Sequence, residues 1–315
     1  MYKYVIKRLL MMIPVLLGVT FVVFFILDLT PSDPARIILG DQAPIESIEA
    51  LREEMGLNDP VLVRYFRYLS GLMRGDWGRS YRNNLPVLPQ VMERVPNTAL
   101  LATSAMMLAL AIGIPIGILS ALKQYTATDN IFTVIGMVGA SMPSFWMGLL
   151  LVMLFSLTLN WFPPFGMGTG LFPLLRSLVL PTVTLGTISA AIILRMTRSS
   201  MLEVMRQDYI DTVRAKGLQE SKVVIQHMLK NALVSIITVT GLQFGFLLGG
   251  AAMVETIFAW PGLGGFMVNS IRTQDIPMVM GSVVFLSVMF SIVNLGVDLL
   301  YAFVDPRIKS QYKSA

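Results

Sequence analysis

Six long stretches of this chain are almost free of charged residues, and they limit its fold more than any other feature. They cover residues 9–27, 99–122, 131–159, 178–194, 233–254 and 279–297. The hydrocarbon core of a bilayer is about 30 Å thick, so a helix needs roughly 20 apolar residues to cross it. With 55% hydrophobic and 14% charged residues, the 315-residue chain lacks the composition of a water-soluble domain. We predict an all-α integral membrane protein with six transmembrane helices, the first retained as an anchor.

The positions of the lysines indicate how the chain is oriented. If the N-terminus lies in the cytoplasm, all eight lysines fall on the cytoplasmic side, as the positive-inside rule expects. Six spans then return residues 305–315 to the cytoplasm as well. Segment 30–97 would place eight arginines outside, but long translocated segments are largely exempt from the rule. The net charge of +5 therefore describes membrane topology, and we expect no nucleic-acid partner.

Segment 30–97 is too long for a simple connector, and its pattern predicts two amphipathic helices. Apolar residues recur at helical spacing before Gly56, and a second such run ends at Gly75. Asp59 and Pro60 have the residue types of an N-cap and a first helical position, which predicts that the second helix begins there. These helices either lie on the outer membrane surface or form a platform that receives a partner.

Glycine and proline positions inside the spans predict packing seams and kinks. Gly241, Gly245 and Gly249 stand at four-residue steps on one face of the fifth span, which permits close helix approach. Pro115 in the second span and Pro143 in the third each remove a backbone donor, so both helices are expected to kink. Such kinks fit either a tightly packed bundle or a bundle that rearranges during transport.

The sequence contains none of the motifs of a membrane enzyme or an ATP motor. It has no cysteine, one histidine, no phosphate-binding loop of the G-x-x-x-x-G-K-[ST] type and no metal-ligand cluster. Charged residues stand at or near span ends, so no proton or sodium relay crosses the membrane centre. This disfavours, without excluding, an ion-coupled secondary transporter or a channel that works without an ATPase. We predict a chain without enzymatic activity or a cofactor of its own.

A polar, basic loop at 195–233 separates two of the spans and predicts a short helix. Asp208 is suited to be its N-cap, with Asp211 three residues later as in a capping box, and Gly217 to end it in the left-handed conformation. Ile210 and Val213 would share one face. A helix of two turns is marginal in water and needs tertiary support or a partner. The loop therefore either lies on anionic lipid headgroups or docks onto another protein.

These residues resemble a known motif. The run Asp208-Tyr-Ile-Asp-Thr-Val-Arg-Ala-Lys-Gly-Leu218, with Asn231-Ala-Leu233, is similar to the "EAA" loop of permease subunits from bacterial binding-protein-dependent ABC importers. The resemblance covers nearly the whole chain and points to the dipeptide and oligopeptide branch. It includes Pro31-Ser-Asp-Pro34, Leu57-Asn-Asp-Pro60, Arg64-Tyr65, Gly75-Asp-Trp-Gly-Arg-Ser80, Pro86-Val87, Pro143-Ser-Phe-Trp146 and Val254-Glu-Thr-Ile-Phe-Ala-Trp-Pro-Gly-Leu-Gly264.

The resemblance implies a docking role for the loop. The family's glutamate corresponds to Asp211, its two alanines to Thr212 and Val213, and only its glycine, Gly217, matches outright. A family proline is replaced by Lys230. In the family this loop is a coupling helix that sits in a groove of a cytoplasmic ATPase subunit. The residues implied are Tyr209, Ile210, Asp211, Thr212, Val213, Arg214, Ala215, Lys216, Gly217 and Leu218.

The resemblance also implies a type I importer permease fold in a bacterial plasma membrane, with residues 1–98 and 99–315 as its two parts. The implied partners are a second homologous permease, two ATPase subunits that hold ATP and Mg, an extracytoplasmic solute-binding protein, a small peptide-like solute and membrane lipid. Gly241, Gly245 and Gly249 would line or border the solute pathway. The loop residues that would face the binding protein are Glu255, Trp260, Pro261 and Gly262, with an interface anchor as the alternative role for Glu255.

Overall fold

The computed structural model describes residues 2–30, 33–40 and 42–304, and this part of the chain is helical, as predicted. The predicted cytoplasmic tail at 305–315 and Pro31-Ser32 of the first motif lie outside the described residues. The helices are α1 (Tyr2–Asp28), α2 (Pro34–Leu39), α3 (Ile45–Glu54), α4 (Val61–Met73), α5 (Val87–Leu122), α6 (Ala127–Ser141), α7 (Ser144–Leu151), α8 (Leu171–Met205), α9 (Asp208–Ala215), α10 (Glu220–Lys222), α11 (Lys230–Ile257), α12 (Leu263–Arg272) and α13 (Ile276–Val304). Two π-helical segments, Val152–Thr158 and Val223–Leu229, extend α7 and join α10 to α11.

Five helices in the described residues are long and apolar enough to cross a membrane. They are Arg8–Asp28, Val87–Leu122, Leu171–Met205, Glu220–Ile257 and Ile276–Leu299. The predicted third stretch, 131–159, is not one kinked helix but two, α6 and α7, bent by 102°. Pro143 lacks an N–H group and pushes the preceding Met142 into the extended conformation, with ψ 127°, so the helix stops there.

Helices α5 and α8 run in the same direction and pack with little space between their backbones. A Cβ atom on Gly113 would meet the Ala190 carbonyl oxygen at 2.9 Å, and one on Gly117 would meet that of Leu194 at 2.8 Å. Helix α5 continues unbroken through Pro115. The glycines on either side of this proline therefore serve close helix packing.

The predicted glycine seam on α11 faces α13 and has two members. Gly241 contacts Val297, and a Cβ atom on Gly245 would meet the Phe290 ring at 2.5 Å. The two helices therefore run antiparallel. The third predicted member, Gly249, is exposed, and no described atom lies within 4 Å of the place that a Cβ atom would take. Within the described chain, the seam with α13 therefore includes Gly241 and Gly245 but not Gly249.

The bundle has two ends, which we name by the short helices found there. At the α9 end, Ala121 of α5, Met201 of α8 and Ala232 of α11 share one apolar cluster. At the α12 end, Val87 of α5 packs with Leu263 of α12 and the start of α13. Because α5 and α8 are parallel, the chain leaves α5 at the α9 end and enters α8 at the α12 end. Segment 123–170, with α6 and α7, therefore carries the chain back along the bundle.

The described part of segment 30–97 forms three short helices, α2, α3 and α4, before α5 begins at Val87, where two were predicted, and α4 packs beside α1. Tyr65 of α4 donates to the Leu17 carbonyl at 2.9 Å and lies 3.0 Å from the Thr20 hydroxyl. Helix α4 begins at Val61 with Pro60 as its N-cap, one residue later than predicted. The Asp59 carboxylate does not cap the helix, because it pairs with Arg67.

Candidate functional site

Helix α9 is the predicted two-turn helix. Its C-terminal end matches the prediction, and its N-terminal end does not. Its N-cap is Gln207, and no side chain caps the first turn, so the predicted capping box of Asp208 and Asp211 was wrong. Both carboxylates lie in the first turn instead, where negative charge is favourable to the helix dipole. At the other end Gly217 has φ +78° and donates to the Arg214 carbonyl at 2.9 Å, as predicted.

One face of α9 is built into the α9 end of the bundle. Ile210 is fully buried, and Val213 and Leu218 are partly buried against the same cluster. The other members of this cluster come from α5, α8, the π-helical segment and α11, and are Ala121, Met201, Val223, Val224, Met228, Ala232 and Ile236. The side chain of Ile210, implied as a docking contact, therefore anchors the helix inside its own chain.

Polar contacts fix the edges of α9. The Tyr209 hydroxyl accepts a hydrogen bond from the Asn231 amide at 2.9 Å and donates to the His227 carbonyl at 3.4 Å. Arg214 donates through two nitrogens to the Glu220 carboxylate, at 2.8 and 3.2 Å. This carboxylate raises the pKa of Arg214 above its usual value. Helix α9 is thus held on the helical run that leads into α11.

The opposite face of α9 is open. Asp211, Thr212, Ala215 and Lys216 are exposed, and the Asp211 side chain has 81% of its surface accessible. They stand at positions i, i+1, i+4 and i+5, which places them on a single helix face. This stripe carries one negative and one positive charge around small side chains, a shape suited to insertion into a groove.

The second predicted surface, at the α12 end, is mostly internal. Glu255 is 1% exposed, because α11 continues past it to Ile257 and turns its carboxylate towards the first turn of α12. That carboxylate accepts hydrogen bonds from the Thr98 hydroxyl at 2.6 Å and the Gly265 amide at 2.7 Å. Gly262 is buried against the same carboxylate.

The neighbouring tryptophan is also inside. Trp260 is 3% exposed, and its indole nitrogen donates to the Asn97 carbonyl at 3.0 Å. Of the four loop residues predicted to face a binding protein, only Pro261 is exposed. The other three form the support of this loop, which corrects their predicted placement. The alternative role of Glu255 as an interface anchor also expects an exposed side chain, whereas this carboxylate is internal.

A buried ion pair at the α9 end was missed from the sequence. Asp129, in the first turn of α6, accepts two hydrogen bonds from Arg198 of α8, both at 2.7 Å, and one from Ser120 of α5 at 2.5 Å. The pattern Thr126-x-x-Asp129 is a helix-start signal that could have placed the carboxylate at the beginning of α6. Its arginine partner lies 69 residues away, and no local signal identifies it.

A second missed contact ties segment 30–97 to the α12 end. The Ser80 hydroxyl donates to the buried Asp275 carboxylate, and the Tyr81 amide donates to it at 3.1 Å. Burial raises the pKa of Tyr81 to about 12. The loop before α5 and the turn between α12 and α13 are thereby joined.

Comparisons with known proteins identify the family of this chain. Residues 113–310 match the family model of the binding-protein-dependent transport system inner membrane component, and residues 1–102 match the model of the N-terminal part of such membrane components. The chain is 43% identical to the dipeptide transport system permease protein DppB of Alkalihalophilus pseudofirmus, over 98% of this chain and 100% of that protein. It is 42% identical to the oligopeptide transport system permease protein AppB of Bacillus subtilis, with the same coverage of both chains.

A third relative and a solved structure are also similar to this chain. The glutathione transport system permease protein GsiC of Salmonella paratyphi A is 40% identical, over 98% of this chain and 99% of that protein. An inward-facing structure of the MetNI methionine ABC transporter superposes with a TM-score of 0.56 at 18% identity, covering 69% of this chain and 97% of that one. This likeness shows a shared fold. The chain belongs to the family of binding-protein-dependent transport system inner membrane components, and it is the permease part of such an importer.

Proposed function

We propose that this chain forms one half of the pathway through which an ATP-driven importer moves peptides or similar small solutes. The three named relatives carry dipeptide, oligopeptide and glutathione in their names, and all three solutes contain peptide bonds. A second homologous permease would form the other half. Two cytoplasmic ATPase subunits would bind ATP and Mg and hydrolyse the nucleotide, and a solute-binding protein would deliver the solute from outside. The chain itself would carry out no catalysis.

We further propose six membrane crossings with both termini in the cytoplasm. The parallel directions of α5 and α8 support this count, because α6 and α7 together must then return the chain as one broken crossing. The α9 end would lie in the cytoplasm, where Lys216, Lys222 and Lys230 satisfy the positive-inside rule. Segment 30–97 would lie outside. The two proposed parts of the chain, 1–98 and 99–315, meet within the continuous helix α5.

The proposed ATPase contact is the open stripe of α9. The observation that carries this proposal is that α9 has one face fixed to three membrane helices and the other face free. The stripe Asp211, Thr212, Ala215 and Lys216 would enter the ATPase groove. Motion of the groove would then reach α5, α8 and α11 directly, because these helices share the cluster under Ile210.

At the α12 end, Pro261 would meet the binding protein while Glu255, Trp260 and Gly262 hold its loop in place. On the glycine face of α11, Gly241 and Gly245 are covered by α13, so we place Gly249 nearest the pathway. These roles complete the proposed set of contacts. Each is assigned according to whether the side chain is exposed or internal.

The absence of cysteine from the sequence makes the orientation directly testable. Thr212→Cys and the matched exposed position Glu46→Cys on α3 each introduce a single thiol. We expect a membrane-impermeant maleimide to label Glu46→Cys in intact cells, and Thr212→Cys only in inside-out vesicles. In the assembled importer, a short bifunctional reagent should cross-link Thr212→Cys to an ATPase subunit and leave Glu46→Cys uncoupled. Labelling of Thr212→Cys from outside would contradict the proposal.

Transport itself separates the importer from a carrier that works alone. Proteoliposomes with the assembled importer should take up a dipeptide only when ATP and the solute-binding protein are present. Vesicles that contain this chain alone should take up none under a proton or sodium gradient. Gradient-driven uptake by the chain alone would favour an ion-coupled carrier instead.

A further inference from the structure

A narrow cavity lies between α6 and α8 near the α9 end of the bundle. Its volume is about 220 Å³, and its wall is almost entirely apolar. Small residues from both helices make the space, among them Gly136 and Ala140 of α6 and Ala191 of α8. Arg195 and Arg198 of α8 stand at one end of it.

The two arginines differ in their partners. Arg198 is neutralised by Asp129 through two hydrogen bonds, so this pair adds no net charge to the cavity. Arg195 precedes Arg198 by one turn, about 4.5 Å closer to the membrane centre. Within the described part of the chain Arg195 makes no hydrogen bond or ion pair, and its side chain is exposed. An unpaired charge on a membrane-spanning helix is costly, so an anion from outside this chain should face it.

We infer that this cavity binds an anionic phospholipid of the leaflet at the α9 end. The lipid phosphate would accept hydrogen bonds from Arg195, and part of an acyl chain would fill the apolar space between α6 and α8. A cationic group beside an apolar groove matches the two parts of such a lipid, and basic pockets between membrane helices bind anionic headgroups. Only the assignment of this leaflet to the cytoplasmic side rests on the proposed orientation.

The cavity can be filled without changing the arginine. A Cβ atom on Gly136 would lie 4.0 Å from the nearest atoms, the two terminal methyl groups of Leu194, so the space in front of this glycine is open. Gly136→Leu would therefore occupy the place of the acyl chain. Its near neighbour Gly139 is a poor choice, because a Cβ atom there would meet Thr187 at 3.2 Å. Gly136→Leu and Arg195→Gln thus remove the two halves of the proposed site independently.

The test is lipid binding to the detergent-purified importer, measured by native mass spectrometry during titration with phosphatidylglycerol or phosphatidylethanolamine. We expect one tightly bound phosphatidylglycerol per copy of this chain. Arg195→Gln should weaken its binding at least about tenfold, because a charge-assisted hydrogen bond is lost. Arg195→Lys should retain most of the binding, and Gly136→Leu should abolish it. Phosphatidylethanolamine should bind weakly to every variant.

The matched control is Arg206→Gln, which removes an exposed arginine at the end of the same helix, outside the cavity. It should leave phosphatidylglycerol binding unchanged. Equal binding by the wild type and Arg195→Gln, or equal losses in Arg195→Gln and Arg206→Gln, would overturn the inference. So would dissociation of the second permease from Arg195→Gln in lipid-free detergent, because the anion would then be an acidic side chain of that subunit. Neither ATP nor a transported solute enters this measurement, so it can fail while the proposed transport function stands.

Discussion

Replacing Ile210 by alanine removes the side chain that fastens α9 to the membrane helices. Ile210 is fully buried in the cluster formed by α5, α8 and α11. An Ile→Ala change in a packed core costs about 2 to 5 kcal/mol, because the removed methyl groups leave a cavity. We expect Ile210→Ala to release α9 from the bundle and to leave the membrane helices folded.

The remaining contacts of α9 are too weak to replace this anchor. The hydrogen bond between Tyr209 and Asn231 contributes about 1 kcal/mol, and the exposed pair of Arg214 and Glu220 about 1 kcal/mol or less. A helix of eight residues is marginal by itself. A loss of 2 to 5 kcal/mol corresponds to an increase of about 30-fold to 4,000-fold in the open population of α9.

Hydrogen exchange with mass spectrometry can measure this opening. Peptides that cover 206–219 should exchange faster in Ile210→Ala by about that factor, and peptides from α8 should keep their protection. The matched control is Ile225→Ala on the neighbouring π-helical segment, because Ile225 is 62% exposed. An exposed apolar side chain contributes about 0.5 kcal/mol or less, so its exchange should match the wild type.

The same variants should differ in their ATPase contact. Ile210→Ala should lose most of its ATPase subunits during purification of the complex, whereas Ile225→Ala should retain them. Unchanged exchange at 206–219 in Ile210→Ala would refute the role of this side chain as an anchor. Equal acceleration in both variants would show that the measurement reports general loosening of the loop.

Two further substitutions test other contacts, both by thermal unfolding in detergent. Asp129→Asn should lower the free energy of unfolding by about 3 kcal/mol, because it leaves the partly exposed Arg198 unpaired; the double variant with Arg198→Gln should recover part of this loss. Gly241→Val should cost about 1 to 3 kcal/mol by overpacking against Val297, whereas Gly249→Val should stay within about 0.5 kcal/mol because that position is open. Equal effects of the two glycine changes, or no recovery in the double variant, would contradict these assignments.

The long helices could be predicted from the sequence because the signal for them is local. A membrane helix is specified by about 20 consecutive apolar residues, and five of the six predicted stretches each lie within one long helix, whereas 131–159 is divided between α6 and α7. The conformation of Gly217 could be predicted for the same reason, since a single residue type favours positive φ after a helix. Helix α9 was also predicted from local patterns, namely Gly217 at its end and the spacing of Ile210 and Val213 on one face.

Several errors arose where a contact joins distant parts of the chain. Whether Glu255 faces outward depends on where α11 ends and on how closely the first turn of α12 approaches it. The local sequence specifies neither of these. The pair of Asp129 and Arg198 joins residues 69 positions apart. The bend at Pro143 was expected, but its angle of 102° depends on how α6 and α7 pack against α8.

The contacts at the two bundle ends indicate which helices would move together when α9 is displaced. At the α9 end, Ile210 packs with the ends of α5, α8 and α11, and at the α12 end Glu255 joins α11 to Thr98 of α5. Helices held together at both ends move as one body, because neither end can separate without breaking buried contacts. Helix α1 is different, since its apolar part is almost entirely exposed in the described chain. We therefore expect a pull on α9 to displace α5, α8 and α11 together, and α1 to follow through its contacts with α13 and α4.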